Sequence, residues 1–219
     1  MLVRLNKYFT NFKTMNEFDL KAAEWDKNKM HRDRAEAVAG EMMKQIPMNR
    51  TMSALEFGAG TGLLSFILKD HLREITLIDN SPGMVKVLNE KLETAGAENL
   101  KVVHADLEND DYGEGKFDLI YTLMVLHHVG DVEAIIEKFR GLLNPGGYLA
   151  IADLYSEDGS FHGDGFSGHR GFDPEQLSAL LQKTGFTGIS HRKVYVVDKA
   201  VSENRSKKFD VFLMTASRS

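Results

Sequence analysis

The sequence alternates short apolar runs with longer runs of helical periodicity between residues 53 and 154, and this alternation limits the fold more than any other feature. Apolar runs of about four to eight residues are typical of strands, and apolar positions spaced by three and four are typical of helices. Such alternation predicts a parallel sheet covered by helices on both faces. The predicted strands are 53–57, 75–78, 100–104, 117–123 and 148–154, and the predicted helices are 63–72, 82–94 and 132–143.

Helical patterns also precede and follow this region. Residues 18–46 carry apolar side chains at helical spacing and end before Pro47, which predicts helical structure ahead of the first strand. Asp173 and Pro174 are typical of the N-cap and first position of a helix, and Gly185 is typical of the residue that ends it.

A turn and a last pair of strands complete the pattern. The run 144–147, Asn-Pro-Gly-Gly, predicts a turn into the fifth strand, and residues 188–197 and 208–216 predict a terminal antiparallel pair separated by a polar stretch. The predicted fold class is α/β, with a doubly wound seven-stranded sheet that is mainly parallel, has helices on both faces and ends in an antiparallel strand. Residues 1–50 are expected to form an N-terminal extension and helical cap, and residues 51–219 the domain with which that cap folds as one unit.

Composition excludes several classes of function. A formal net charge of −5 would repel a phosphate backbone, so no nucleic-acid partner is expected, and the basic runs 192–193 and 205–208 are interpreted as a solvated edge. The absence of cysteine excludes disulfides, cysteine nucleophiles and thiolate-held clusters. No window approaches the roughly 18 apolar residues of a membrane span, so a cytoplasmic protein without a membrane partner is expected. The basic first sixteen residues lack a continuous apolar core and are interpreted as an extension, with Met1 or Met15 as the start.

Glycines at alternate positions lie between the first predicted strand and the helix after it. Gly58, Gly60 and Gly62 permit tight turns and the close approach of a ligand, and the following helix N-terminus presents unpaired N–H groups. A dinucleotide fingerprint, G-x-G-x-x-G, would need a glycine where Leu63 stands. A nucleotide-like ligand other than a dinucleotide is therefore expected, and Asp79, at the end of the second strand, is placed to accept both hydroxyls of a ribose.

The run 56–62 resembles motif I of the class I S-adenosylmethionine-dependent methyltransferases, E/D-x-G-x-G-x-G, position for position. The resemblance continues through residues 117–129 and 142–147 and covers residues 53–154. The chain is thus similar to the type 11/12-like group of small-molecule methyltransferases. This resemblance implies a Rossmann-like fold, S-adenosylmethionine as the cofactor, and transfer of its methyl group to a small-molecule acceptor to give S-adenosylhomocysteine.

The resemblance also implies which residues bind the cofactor. Asn80 and Met84 are expected against the adenine, Asp106 at its amino group, and Trp25 as a cover over the cofactor. Core packing is the alternative for Met84 and Trp25, and a helix cap is the alternative for Asp106. The expected cofactor-binding residues are Glu56, Gly58, Ala59, Gly60, Gly62, Asp79, Asn80, Met84, Asp106, Leu107, Thr122 and Trp25.

Catalytic candidates lie at the ends of the fourth and fifth strands, where open α/β sheets hold their ligands. His127 is the first candidate for a general base and His128 is the second; a packed or capping histidine is the alternative. Asp153, at the end of the fifth strand, is a further catalytic candidate that is expected to meet the acceptor. The long loop 155–172 is either a lid over the acceptor or a solvated loop. The candidate acceptor contacts of this region are Tyr155, His162, His169 and Arg170. Their spacing is irregular for ligands, so no metal site is expected.

Other functions stay open at this level. A non-catalytic S-adenosylmethionine-binding module that regulates a partner would carry the same motifs. An NAD-dependent oxidoreductase shares the fold, but the missing third glycine disfavours it. Residues 121–124, Tyr-Thr-Leu-Met, differ from the Asn/Asp-Pro-Pro-Tyr signature of many methyltransferases that act on DNA or on protein glutamine, which disfavours those substrates. The protein is expected to be a monomer or a homodimer.

Overall fold

The computed structural model describes residues 17–110, 112–113, 115–203 and 205–219; the predicted extension at residues 1–16 lies outside them. The α-helices are α1 (Glu17–Trp25), α2 (Lys29–Gln45), α3 (Leu63–Leu68), α4 (Pro82–Ala95), α5 (Val132–Leu142) and α6 (Pro174–Lys183). The strands are β1 (Ser53–Phe57), β2 (Glu74–Asp79), β3 (Leu100–His104), β4 (Phe117–Leu123), β5 (Leu143–Leu154), β6 (Phe186–Ser202) and β7 (Arg205–Arg218). Short 3-10 helices cover Lys69–His71 and Leu126–His128.

The seven strands form one sheet in the order β3-β2-β1-β4-β5-β7-β6. The first five strands pair in parallel, and β7 is antiparallel to both β5 and β6. Helices α2, α3 and α4 cover one face, and α5 and α6 cover the other. The predicted doubly wound sheet with an antiparallel last strand is thus confirmed. Because the strand order reverses between β1 and β4, a crevice forms at their carboxyl ends.

Successive side chains of the central strands pack into different faces of the core. Ala54 belongs to the cluster under α2 and α3, while Leu55 belongs to the cluster under α5 and α6; Leu119 and Ile120 divide in the same way. All five residues of β1 are buried, as expected for a parallel strand covered on both sides. The sheet therefore holds the ends of β1 and β4 rigidly against each other.

The segment before β1 forms two helices with a break between them. The side chain of Asn28 accepts a hydrogen bond from the N–H of Met30, 3.0 Å away, and so caps the N-terminus of α2. The side chain of Asp19 in α1 accepts hydrogen bonds from the Ser81 hydroxyl at 2.6 Å and from the Gly83 N–H at 2.9 Å.

Two predicted turns are part of strands instead. Strand β5 begins at Leu143, opposite Phe117, and its register then shifts, so that Asn144-Pro145-Gly146-Gly147 forms a bulge inside the strand, with Gly146 at φ +77°. Most of the polar stretch predicted to separate the last two strands is paired, because Asp198, Lys199, Ala200 and Ser202 lie opposite Lys208, Lys207, Ser206 and Arg205. The ammonium group of Lys199 lies 4.3 Å from the centroid of the Phe161 ring. A charged sequence therefore continues the strand over an apolar surface.

Within the described part of the chain, no helix combines the length and the apolar character that crossing a membrane would require.

Candidate active site

Each glycine of the loop after β1 has a left-handed backbone. The φ angles of Gly58, Gly60 and Gly62 are +66°, +55° and +76°. A Cβ on Gly58 would overlap the side chain of Val125, and a Cβ on Gly62 would lie 2.7 Å from Leu88 Cδ1. A Cβ on Gly60 would meet nothing closer than Met84 Sδ at 4.0 Å. The outer two glycines are thus required by packing, while Gly60 leaves space open to a ligand.

The carboxylate of Asp79 connects this loop to the end of β2. Oδ2 accepts a hydrogen bond from the N–H of Gly60 at 2.7 Å, and Oδ1 accepts one from the N–H of Ser81 at 2.8 Å. Burial raises the pKa of Asp79, and the two N–H groups act in the opposite direction. The carboxylate therefore sets the position of the glycine loop and still has lone pairs for a ligand.

A cavity of about 1040 Å³ lies at the carboxyl ends of β1, β2, β3 and β4. Helix α1 and the first turns of α2 cover it, and Phe161 and Lys199 line it on the side of the loop after β5. Pockets for small molecules measure about 300–1,000 Å³, so this cavity has room for a nucleotide cofactor and a second molecule. The predicted site residues that line it are Trp25, Glu56, Gly58, Ala59, Gly60, Asp79, Asn80, Met84, Asp106, Leu107, His127, His128 and His162.

Helix α1 is held over the cavity by ionic contacts that the sequence analysis missed. The carboxylate of Asp26, which follows α1 directly, accepts hydrogen bonds from the Thr61 hydroxyl and from Lys91 Nζ, the latter at 2.6 Å. Lys91 Nζ also donates to the Thr61 carbonyl at 2.6 Å. The indole of Trp25 lies 4.1 Å from the ring of His31, centroid to centroid. The end of α1 is thereby fixed to the glycine loop and to α4.

Glu56 lies fully buried behind the glycine loop. Its carboxylate accepts a hydrogen bond from the Ser65 hydroxyl, whose oxygen lies 2.6 Å from the Tyr121 hydroxyl. Burial raises the pKa of Glu56 to about 8, against the lowering effect of the Ser65 hydrogen bond. Glu56 therefore carries its proton at neutral pH, and a cation arriving in the cavity would favour its charged form.

Replacing Glu56 by glutamine is expected to remove a pH dependence of stability. The carboxyl has an ordinary pKa of 4.5 and a folded-state pKa of about 8, so the folded state holds more protons between these values and stability falls as pH rises through them. Glutamine keeps an acceptor for Ser65 and has no charge to bury. Urea unfolding at pH 5 and pH 8.5 should show the variant gaining about 4 kcal/mol relative to the wild type over this interval. The exposed Glu98→Gln variant is the control, and parallel curves for Glu56→Gln and the wild type would contradict the expectation.

Three imidazoles lie together on the cavity wall. The ring centroids of His127 and His128 are 4.2 Å apart. The ring centroid of His162 lies 5.0 Å from that of His127 and 5.1 Å from that of His128. His127 is fully buried, and its Nδ1 lies 2.6 Å from Oδ1 of Asp153, which itself lies behind the wall at the end of β5. A carboxylate accepts, so Nδ1–H donates, and in the neutral ring Nε2 carries the lone pair. Burial lowers the pKa of His128 and that of His162 to about 4, so both rings are neutral.

Arg34 of α2 is a cavity residue without a counterpart in the sequence analysis. It is 6% exposed, and within the described residues its Nε has no hydrogen-bond partner. Burial lowers its pKa to about 10, while the nearby carboxylate of Asp153 acts to raise it. The arginine therefore remains a buried cation in the wall of the cavity.

Five other predicted site residues lie outside the cavity lining. Gly62 is the N-cap of α3, and Thr122 is buried in β4. The ring of Tyr155 packs on Phe212 at 5.4 Å. Nε2 of His169 lies 3.0 Å from the Val129 carbonyl oxygen, and the backbone N–H of His169 donates to the His127 carbonyl at 2.8 Å. The side chain of Arg170 lies beside Gly159. The last three hold the loop 155–172 in place.

A family model described as a methyltransferase domain matches residues 55–151, the region that contains the glycine loop, Asp79 and the imidazoles. Residues 55–151 therefore belong to the methyltransferase domain family, and the chain has the fold of the class I S-adenosylmethionine-dependent methyltransferases. An uncharacterized methyltransferase of Schizosaccharomyces pombe is 33% identical over 152 residues, which are 62% of this chain and 54% of that protein. The hybrid PKS-NRPS synthetase lepA of Aspergillus flavus is 31% identical over 173 residues, or 69% of this chain and 4% of the synthetase. The chain thus spans about half of the first relative and a small part of the second.

The chain also shares its fold with solved structures. The N-methyltransferase NodS of Bradyrhizobium japonicum, in complex with S-adenosyl-l-homocysteine, superposes with a TM-score of 0.67 at 19% identity, covering 89% of this chain and 90% of NodS. These similarities imply S-adenosylmethionine as the cofactor. The residues present fit it, because Gly60 leaves open space where a side chain would stand and Asp79 retains lone pairs for a ribose.

Proposed function

We propose that this methyltransferase transfers the methyl group of S-adenosylmethionine to a small-molecule acceptor and leaves S-adenosylhomocysteine. One observation carries the proposal: a single cavity joins the glycine loop and Asp79 to a wall of three imidazoles. Bound S-adenosylmethionine supplies a methyl group already activated on a sulfonium, so the protein's main task is to hold the acceptor in line with it and to exclude water.

Residues at the glycine end of the cavity hold the cofactor in this proposal. Asp79 binds the ribose, Met84 and Asp106 lie at the adenine, and Gly60 gives the chain's backbone close access to the ligand. Glu56 becomes charged beside the cationic cofactor, since a nearby cation lowers the pKa of a carboxyl. Trp25 and the rest of α1 cover the bound molecule and exclude water.

Residues at the imidazole end contact the acceptor. His127 presents Nε2 because Asp153 holds its Nδ1–H, which is the arrangement of a base and the group that orients it. An acceptor whose reacting atom carries a proton would pass it to this nitrogen. His162 and the buried Arg34 line the same cavity, and the cation of Arg34 favours an acceptor with a carboxylate or another anionic group.

Several features support a small acceptor over a macromolecule. Helix α1 covers the cavity on one side, and the loop after β5 lines another. The net charge of −5 disfavours a nucleic acid. Among similar proteins, lepA is named a PKS-NRPS synthetase and NodS an N-methyltransferase. A cytoplasmic location and a monomeric or homodimeric state are part of the same proposal.

Acceptor-dependent formation of S-adenosylhomocysteine is the test. The protein is incubated with S-adenosylmethionine and a panel of small carboxylic acids, phenols and amines, and the product is quantified by mass spectrometry. A true acceptor should give turnover that His127→Ala reduces at least about 100-fold, in the range of a lost general base. The exposed histidine variant His71→Ala should match the wild type. Tight cofactor binding with no turnover on any acceptor would favour the non-catalytic binding module instead.

A further inference from the structure

We propose that His127, His128 and His162 form a binding site for a divalent transition-metal ion in the wall of the acceptor cavity. One ring nitrogen from each of the three residues lies within 4.8 Å of the other two. An ion bound tetrahedrally at about 2.0–2.1 Å from imidazole nitrogens places those nitrogens roughly 3.4 Å apart. Reorientation of the three rings by about an ångström therefore brings them onto one ion.

The carboxylate of Asp153 orients the first of these ligands. Oδ1 lies 2.6 Å from Nδ1 of His127, and Oδ2 accepts a hydrogen bond from the N–H of the same residue at 3.2 Å. Metal-binding histidines commonly donate their second ring N–H to a carboxylate, which sets the tautomer and the ring orientation. Asp153 therefore leaves the Nε2 lone pair of His127 directed away from itself and free for an ion.

His162 presents a nitrogen that the protein leaves without a partner. Its Nε2 is buried, and no hydrogen-bond partner for it exists among the residues that the structure describes. Its ring stacks on Phe166 with centroids 3.9 Å apart and an angle of 17° between the planes. A buried polar atom without a partner is costly, and an ion bound at this nitrogen would remove that cost.

An aromatic shell surrounds the three rings. Phe18 and Phe166 meet His128 edge to face at 5.2 Å and 5.3 Å, and Phe161 meets His162 at 4.9 Å. Such a shell limits the access of water and strengthens the interaction of an ion with its ligands. Three neutral nitrogen ligands suit Zn²⁺, Co²⁺, Ni²⁺ or Fe²⁺ better than Mg²⁺ or Ca²⁺, which prefer oxygen.

A three-histidine site leaves coordination positions open toward the cavity. An acceptor oxygen or nitrogen could complete the coordination there, and a bound hydroxyl would lose its proton more readily. Because the Nε2 lone pair of His127 serves either an ion or a proton, metal binding and the general-base role exclude each other at this atom. The metal site thus goes beyond the proposed function and is tested separately from it.

The test is calorimetric titration of chelator-treated protein, without a histidine tag, with Zn²⁺ and with Co²⁺. The wild type should bind one ion per chain, and the Co²⁺ form should show the visible absorption of a four- or five-coordinate complex. His162→Ala should weaken binding at least about 100-fold, and Asp153→Asn about 10- to 100-fold as an orienting group. The exposed His71→Ala variant should bind the ion as the wild type does.

Binding of S-adenosylhomocysteine, measured on the same samples, shows that each variant is folded and separates the two proposals. Loss of metal binding in His162→Ala with cofactor binding retained supports the site. A wild type that takes up no stoichiometric ion, or a His162→Ala variant that binds the ion equally well, would overturn it. If either of these two results overturns the metal site, the proposed methyl transfer, which is measured with an acceptor, still stands.

Discussion

Replacing Asp79 by alanine is expected to weaken the binding of S-adenosylhomocysteine at least about 100-fold. The carboxylate holds the N–H groups of Gly60 and Ser81 and lines the cavity at the end of β2. Hydrogen bonds to a charged group contribute about 1.5–3 kcal/mol each, so losing two ribose contacts costs at least about 3 kcal/mol, or roughly 100-fold in affinity. The unpaired N–H of Gly60 adds to the effect by releasing the glycine loop.

Calorimetry with S-adenosylmethionine, S-adenosylhomocysteine and NAD measures this effect. Asp79→Asn keeps one acceptor oxygen and should fall between the wild type and Asp79→Ala. Asp70→Ala removes an exposed carboxylate outside the cavity and should bind as the wild type does. Far-UV circular dichroism checks that each variant is folded. Binding of NAD without either sulfur nucleotide would contradict the interpretation of the glycine spacing.

The cofactor end of the cavity could be anticipated from the sequence because its residues follow buried strands directly. Glu56 lies near the end of β1, Gly58 and Gly60 follow that strand directly, and Asp79 ends β2. Parallel neighbours must bring their carboxyl ends to one edge. The seven strands were predictable for the same reason, since apolar runs between turn residues identify strands well. The exceptions were the bulge in β5 and the paired polar stretch of β6 and β7, where tertiary contacts outweigh local polarity.

The acceptor end depends on contacts between segments that are distant in the chain. His162 reaches His127 and His128 only because the loop after β5 folds back over them. The irregular spacing of the three histidines in the sequence gave no indication that they lie together. Arg34, Asp26 and Lys91 carry no motif; their role follows from how α1 and α2 lie over the sheet. Sequence periodicity predicts which face of a helix is buried, but it does not predict what a charged residue on that helix meets.

The second large effect is expected at Gly171, near the end of the loop 155–172, where a single added methyl group should lower the stability of the protein. Gly171 has φ +71°, and a Cβ there would overlap the carbonyl oxygen of Tyr155 and lie 2.7 Å from its carbon and 2.8 Å from the Leu154 oxygen. These atoms belong to a ladder in which Phe172 N–H donates to Leu154 O at 2.8 Å and Ser156 N–H donates to Phe172 O at 2.9 Å. The added methyl group has no room unless this ladder opens.

Gly171→Ala is therefore expected to lower the free energy of unfolding by about 3 kcal/mol or more, from backbone strain and overpacking together. Gly163→Ala is the matched control, because Gly163 lies in the same loop at φ +84° and a Cβ there would meet nothing within 4 Å. It should lose only the strain, about 1 kcal/mol. Urea unfolding of both variants separates the cost of the steric clash from the cost of backbone strain. Equal losses of unfolding free energy in the two variants would show that the backbone around Gly171 shifts to accommodate the methyl group.

The same pair of variants links the loop to the site. If the ladder positions His162, Gly171→Ala should weaken metal binding at temperatures where the rest of the protein stays folded, while cofactor binding changes little because Asp79 and the glycine loop lie on other strands. Gly163→Ala should bind the metal ion and the cofactor nearly as well as the wild type does. Unchanged metal binding in a folded Gly171→Ala protein would mean that the stacking of His162 on Phe166, and not the loop base, holds the third imidazole.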